Sequence, residues 1–196
     1  VLDVGCGGQP YRSWLRKADR YIGIDVAPGP KVDLVIDNRS VWPMPDASID
    51  VVLCTQVLEH VEDLEHTLLQ IERVLRTGGR AIISVPFIYN EHGAPDDFRR
   101  FSVHGAERLF PEWTPLTLER HGGIGSTLAI LLLNWIDGAL NQRFVTRLLK
   151  AILLPVWIGV SLLCNALGLL LDRLDGTGAF YNSLLVVFEK KESLPK

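Results

Sequence analysis

Cysteine is scarce in this 196-residue chain: Cys6, Cys54 and Cys164 stand far apart, with no C-x-x-C pair. That excludes a disulfide framework, and two of the three sit in apolar surroundings, so buried reduced thiols in a cytosolic protein are expected. A strong charge of either sign is also missing. The net charge is only -3, which argues against broad electrostatic binding to nucleic acid. His60, His66 and His92 are too scattered to form a zinc site, so no metal is expected. Internal repeats and low-complexity tracts are absent. Apolar residues make up 47% and charged ones 22%, which excludes a disordered chain.

What is present reads as one α/β domain over residues 1–196, long enough to bury a core. Short apolar runs alternate with helix-like stretches, as in βαβ units on a parallel sheet. Strands are expected at Val1–Gly5, Tyr21–Asp25, Val32–Asp37, Ile49–Cys54, Arg80–Pro86, Leu116–His121 and Ala179–Glu189. A short helix is expected near Tyr11–Arg16. Leu64, Leu68, Ile71 and Leu75 recur at helical spacing, which predicts a helix from Asp63 to Arg76, ended by Gly78-Gly79. Another is expected over Ser102–Phe110, with Ser102 as its N-cap. Val1–Val4 already reads as a buried strand, and a charged amino terminus there would be costly. Upstream residues are therefore expected to be missing, and what remains shows no secretion signal.

The end of the first strand reads Asp3-Val4-Gly5-Cys6-Gly7-Gly8. Glycines at such a turn let the backbone approach a bound cofactor. Asp25 ends the second strand, where a carboxylate can accept hydrogen bonds from both hydroxyls of a ribose. A glycine turn followed by an acid is a weak signal alone. A dinucleotide site wants a third glycine where Pro10 stands, which weakens a pyrophosphate reading. Asp37-Asn38, after the third strand, can hydrogen-bond an adenine amino group.

The motifs VLDVGCG, GIDV, the third-strand Asp37, MPDASIDVV, VLEHVED and LRTGGRAIISVPF agree in order and spacing with one family. Over residues 1–120 the chain resembles class I S-adenosylmethionine-dependent methyltransferases of the type 11-like kind. That resemblance implies a Rossmann-like seven-stranded sheet whose last strand is antiparallel and hairpins with the sixth. It implies S-adenosylmethionine as cofactor, with Asp3, Gly5 and Gly7 bordering its methionine part. Asp25 would hold the ribose, Asp37 and Asn38 the adenine, and Gln56 would lie beside the sulfonium.

Substrate-side residues are expected after the fifth strand, at the carboxyl edge where such sheets bind ligands. His92 through Ser102 resembles the H-x-x-P-x-D-x-x-R-F-[ST] segment of methyltransferases that act on glycan or lipid-linked substrates. His92 or Asp97 could serve as base, and Arg100 could hold an anionic group or brace Asp97. The alternative is a surface loop pinned by an Asp97–Arg100 pair. His60, in Leu58-Glu59-His60, is either an acceptor-facing base or a structural imidazole at the start of the next helix.

An apolar helical insertion over residues 122–178 separates the last two strands. Ala151–Leu171 carries no charge across 21 positions; as one helix it would be ~31 Å long, enough to span a bilayer. Pairing of the flanking strands demands that the chain return to the side it left. A spanning hairpin would carry Arg143, Arg147 and Lys150 across, against the usual bias of cations. Peripheral contact through residues 124–171 is favoured, with helices lying in or dipping into the interface. A true spanning hairpin and a cover or dimer core are the alternatives.

Three functions remain open. The first is O-methylation of a glycan, lipid or lipid-linked small molecule at the cytoplasmic face of the membrane. Oxygen is preferred because Thr55-Gln56-Val57-Leu58 replaces the Asn/Asp-Pro-Pro-Tyr/Phe tetrapeptide of many N-methylases. The second is a nicotinamide-dependent oxidoreductase, disfavoured by Pro10. The third is a non-catalytic, membrane-bound methyltransferase-like module.

Overall fold

The computed structural model describes residues 1–192. Seven strands form one sheet: β1 (Leu2–Val4), β2 (Ile22–Asp25), β3 (Leu34–Val35), β4 (Ile49–Thr55), β5 (Leu75–Pro86), β6 (Thr114–His121) and β7 (Ser183–Glu189). Their order is β3-β2-β1-β4-β5-β7-β6. The first five run parallel, with Leu2 opposite both Ile22 and Val52. β7 is antiparallel. Gly78 N donates to Lys190 O at one end of β5 (2.9 Å) and Phe87 N to Asn182 O past the other (2.8 Å). This is the Rossmann-like sheet the motifs imply, with apolar helices between β6 and β7.

The described residues form two compact units. One comprises residues 1–86, 93–119 and those from Leu184 onward; the other comprises 87–92 and 120–183. The core of the first is the set of strand side chains that point off the sheet. Leu2, Ile24, Val52, Ile83, Leu184 and Phe188 are all fully buried. On β7 the alternation Leu184, Val186, Phe188 buries one face of the strand, the period-two signature of an antiparallel member.

Local departures from the sequence reading have local causes. The stretch near Tyr11–Arg16 is a series of turns, closed by bonds such as Trp14 N to Tyr11 O (2.9 Å), and Trp14 is 80% exposed. Without an apolar face to bury, a helix there has nothing to stabilise it. β3 is only two residues long because it is an exposed edge. α1 (Leu64–Val74) starts where Asp63 Oδ1 accepts from His66 N (3.0 Å), and it buries Ile71 and Val74. It stops at Val74, and Gly78-Gly79 belong to β5 rather than to a helix end. There the register jumps from Ile49 opposite Leu75 to Val51 opposite Arg80, so the diglycine is a bulge. Gly78 sits at φ +72°, and a Cβ on Gly79 would lie 2.8 Å from Arg76 O. α2 is short (Val103–Glu107), with Ser102 Oγ accepting from Gly105 N (3.2 Å) as its N-cap.

The second unit is a helical hairpin: α3 (Ile124–Asn141), α4 (Phe144–Ile152) and α5 (Leu154–Asp172). The carboxylate of Asp172, at the end of α5, accepts from Gly125 N (2.8 Å) and Ser126 N (3.0 Å). α5 therefore returns to where α3 began, and its last acid satisfies the orphan amides at the α3 start. Ala151–Leu171 is not one helix. Pro155 lacks an N–H and its ring clashes with the turn before it, so α4 ends and α5 begins on either side of Leu153.

Candidate active site

In the first unit, the carboxyl ends of β1, β2 and β4 surround a cleft of about 400 Å³. Gly5, Asp25, Asn38, Gln56 and His60 line it together. The fold collects them because each stands at or beyond the carboxyl end of a parallel strand, where the sheet opens between loops. Gly5 adopts φ +65°, and a Cβ there would meet Val57 Cγ2 at 2.4 Å, so only glycine fits.

Asp25 organises the turn. Its Oδ2 accepts from Gly7 N (2.9 Å) and its Oδ1 from Ala27 N (3.1 Å). Those bonds use two of the roughly four acceptor positions a carboxylate offers. Asp3 lies buried on β1, receiving the hydroxyl of Tyr21. Burial pushes its carboxyl above the usual carboxylate range, Tyr21 pulls it down, and the charge of Asp25 pushes it up again. Asp37 makes a tight turn through Arg39 N (2.8 Å), which presents the next residue, Asn38, to the cleft. Gln56, at φ +54°, is held by Ser84 Oγ (3.1 Å). Burial pushes the Cys6 thiol up to about 11 and raises Cys54 further, so neither supplies a thiolate nucleophile.

The loop after β5 is clamped to the segment after β4. Phe98 N donates to Glu59 O (2.8 Å), and Arg99 donates to Val61 O and, at 3.1 Å, to Glu62 O. Gly93, at φ +73°, lies against the His60 ring, where a Cβ would come 3.0 Å from Cε1. His60 Nδ1 meets Asp96 O at 2.5 Å. A carbonyl only accepts, so Nδ1 is the protonated nitrogen and Nε2 carries the lone pair of the neutral ring. Nε2 lies 3.9 Å from Oε1 of the fully buried Glu59. Asp97, whose side chain is 2% exposed, forms a bidentate pair with Arg100 (Nη2 to Oδ2, 2.8 Å). His92 belongs to the second unit, edge-on to Tyr89 with ring centroids 5.1 Å apart.

Several contributors escaped the sequence reading. Trp42 is buried and lines the cleft, as do Gly93 and Asp96. The Trp42 loop is pinned from α1: Arg73 donates to Trp42 O (2.9 Å), Met44 O (2.8 Å) and Asp46 Oδ1 (2.7 Å). Buried Gln9 ties the glycine turn to the β2–β3 loop, through Lys31 O and Asp33 Oδ2 (3.2 Å). The motif beginning at Met44 lies just past Trp42, but Arg73 and Gln9 carry no local signal.

The donor set suits S-adenosylmethionine. Glycine backbone at Gly5 opens the cleft wall, and Asp25 puts an acidic group on it, which fits a cationic, ribose-bearing ligand. Residues 2–83 match a family described as a methyltransferase domain. Over 97 residues the chain is 39% identical to a probable S-adenosylmethionine-dependent methyltransferase of Mycolicibacterium smegmatis, covering 44% of this chain and 37% of that relative. Over 159 residues it is 30% identical to a malonyl-[acyl-carrier protein] O-methyltransferase of Serratia marcescens, covering 76% of this chain and 55% of the relative. The chain thus spans well under two thirds of either relative's length. A crystal structure of Burkholderia thailandensis 1,6-didemethyltoxoflavin-N1-methyltransferase, with bound 1,6-didemethyltoxoflavin and S-adenosylhomocysteine, shares the fold. Its TM-score is 0.57 at 15% identity, over 97% of this chain and 70% of that one. Motifs, sheet order and relatives converge: the chain belongs to the class I S-adenosylmethionine-dependent methyltransferases.

Proposed function

We propose that this chain methylates an oxygen of a glycan, lipid or lipid-linked small molecule, at the cytoplasmic face of a membrane. The observation that carries the reading is the single cleft shared by Gly5, Asp25, Asn38, Gln56 and His60. When bound, S-adenosylmethionine supplies an electrophilic methyl group on a cationic sulfur. Asp25 holds the ribose hydroxyls with its remaining lone pairs, and Asn38 reads the adenine edge. Asp3 and the glycine turn border the methionine portion.

His60 is the proposed base. Asp96 fixes its tautomer, so Nε2 can take the proton that an acceptor hydroxyl loses as it is methylated. Glu59, 3.9 Å from that same nitrogen, lends electrostatic stabilisation to the imidazolium that results. Asp97 and Arg100 hold the loop that carries Asp96, so their effect on rate is exerted through His60. The membrane setting draws its support from the exposed apolar helices of the second unit.

The test is calorimetric titration with S-adenosylmethionine, S-adenosylhomocysteine and NAD⁺, alongside Asp25→Ala. The first two are expected to bind and the third not to. Asp25→Ala should cost about 1.5–3 kcal/mol of that binding through lost charge-assisted hydrogen bonds. Binding of NAD⁺ in preference would overturn the reading. With methyl-labelled cofactor and membrane extracts as acceptor, His60→Ala should bind cofactor normally and transfer at least tenfold more slowly; an unchanged rate removes His60 as base.

A further inference from the structure

The α3–α5 hairpin is built inside-out for a protein in water. Its two helices meet through small residues: a Cβ on Gly125 would lie 2.1 Å from Gly168 O, and one on Gly168 would lie 3.2 Å from the Ala129 Cβ. Large side chains point outward. On α5, Val156, Val160, Leu163 and Leu167 are exposed along one flank, and Ile158, Leu162 and Leu169 along another. Only 6% of its apolar window is buried, at a mean hydropathy of 2.0. Small residues inside and aliphatics outside is how helices pair in lipid, where burial gives no drive to hide leucine.

α4 repeats the pattern. Phe144, Val145, Leu148, Leu149 and Ile152 form one stripe at helical spacing, all exposed. The polar side chains bond back to nearby chain, with Arg147 itself exposed. Lys150 pairs with Asp137, Thr146 Oγ1 donates to Arg143 O (2.9 Å) and Arg147 donates to Asn141 O (3.0 Å). An amphipathic helix in water would present the opposite face. Pairing with Asp137 offsets part of the cost of bringing Lys150 into a low dielectric. Arg143, exposed at the start of α4, can snorkel to a lipid phosphate.

We infer that α3, α4 and α5 form a one-sided insertion hairpin that enters and leaves a lipid bilayer on the same face. A second copy of the chain would cover one flank of α5, whereas lipid covers both. α5 is about 28 Å long, close to the ~30 Å of a hydrocarbon core. α3 is uncharged only from Ile124 to Ile136, or about 20 Å, so the hairpin dips in rather than crossing. The inference refines the membrane half of the proposed function and needs no catalytic activity.

The test uses the full chain with Cys164→Ser, which leaves only the buried Cys6 and Cys54 as native thiols. Reporters are Ile152→Cys at the tip and Leu174→Cys just past α5, probed with a membrane-impermeant maleimide on phosphatidylcholine–phosphatidylglycerol vesicles. The protein should float with the vesicles; Leu174→Cys should label from outside, and Ile152→Cys from neither side. Labelling of Ile152→Cys by reagent trapped inside would show a spanning hairpin and overturn the inference. So would failure to float together with dimerisation in sedimentation, which would assign the face to a second copy. Leu163→Glu with Leu167→Glu should cut flotation at least tenfold. Calorimetry with S-adenosylmethionine on the same samples separates a failed insertion from a failed cofactor site.

Discussion

Leu184 on β7 and Leu169 on α5 are the same residue in two regions of one chain, the first fully buried and the second 61% exposed. Around Leu184 the sheet hides its apolar side chains and turns charged groups outward. Around Leu169 the hairpin hides glycines and an alanine, and turns leucines outward. The difference teaches that composition alone does not specify an interior. Water selects the packing of the first unit, and the second is the part we propose to face lipid.

The largest effect should come from breaking the water-selected side. Leu184→Ala removes a fully buried side chain and leaves a cavity, so the first unit should lose about 2–5 kcal/mol in urea unfolding. A loss below ~1 kcal/mol would mean that β7 is not part of a close-packed core. Next comes the tightest point of the hairpin. Gly125→Ala places a methyl group against the backbone carbonyl of Gly168, and carbonyl oxygen cannot rotate away. Overpacking of this kind costs about 1–3 kcal/mol. The loss should appear as reduced α3–α5 protection in hydrogen exchange, with cofactor binding unchanged.

The fold was legible in the sequence wherever a periodic pattern met a punctuating residue. β1, β2, β4 and α1 announced themselves by apolar runs ending in Gly5, Asp25 or the Asp63 cap. Part of the cleft's lining was legible for the same reason: Gly5, Asp25, Asn38 and Gln56 stand at or just past strand ends, and strand ends are local features. What was not legible depended on distance. Arg73 lies on α1 yet fixes the loop from Trp42 to Asp46, and Asp96 reaches His60 only because Arg99 clamps one loop to another. No window of sequence contains both partners. Two helix boundaries were misread although their signals are local. Absence of charge from Ala151 to Leu171 says nothing about continuity, whereas Pro155 interrupts it; Gly78-Gly79 marks a bulge as readily as a helix end.

A subtler contrast concerns Asp3, an acid placed inside the water-selected core. Its folded carboxyl sits above the ordinary value, chiefly because burial disfavours the charge. A raised acid binds its proton more tightly in the fold than in the unfolded chain. Stability is therefore lost as pH rises from the ordinary carboxylate value through the folded one. Asp3→Asn keeps an acceptor for Tyr21 and discards the charge. The variant should equal the parent near about pH 4 and exceed it at about pH 7. If Asp3 borders the methionine part of the cofactor, as proposed, the affinity for S-adenosylmethionine should fall with the loss of its charge. A stability gain without an affinity loss would make Asp3 purely structural.

The smallest effect is the sharpest test of the comparison. Leu169→Ala makes the same chemical change as Leu184→Ala, at a site where the side chain meets solvent rather than protein. In water or mild detergent it should shift unfolding by no more than about 0.5 kcal/mol, the range of ordinary surface substitutions. On vesicles it should behave differently, because the removed methylenes leave hydrocarbon rather than water. Each buried CH₂ is worth ~0.8 kcal/mol, so flotation should weaken measurably although the fold does not. If Leu169→Ala instead destabilised the protein in water as much as Leu184→Ala does, the hairpin would have a packed protein neighbour. The two regions would then obey one rule, and the exposed leucines would be half of an interface between copies of the chain.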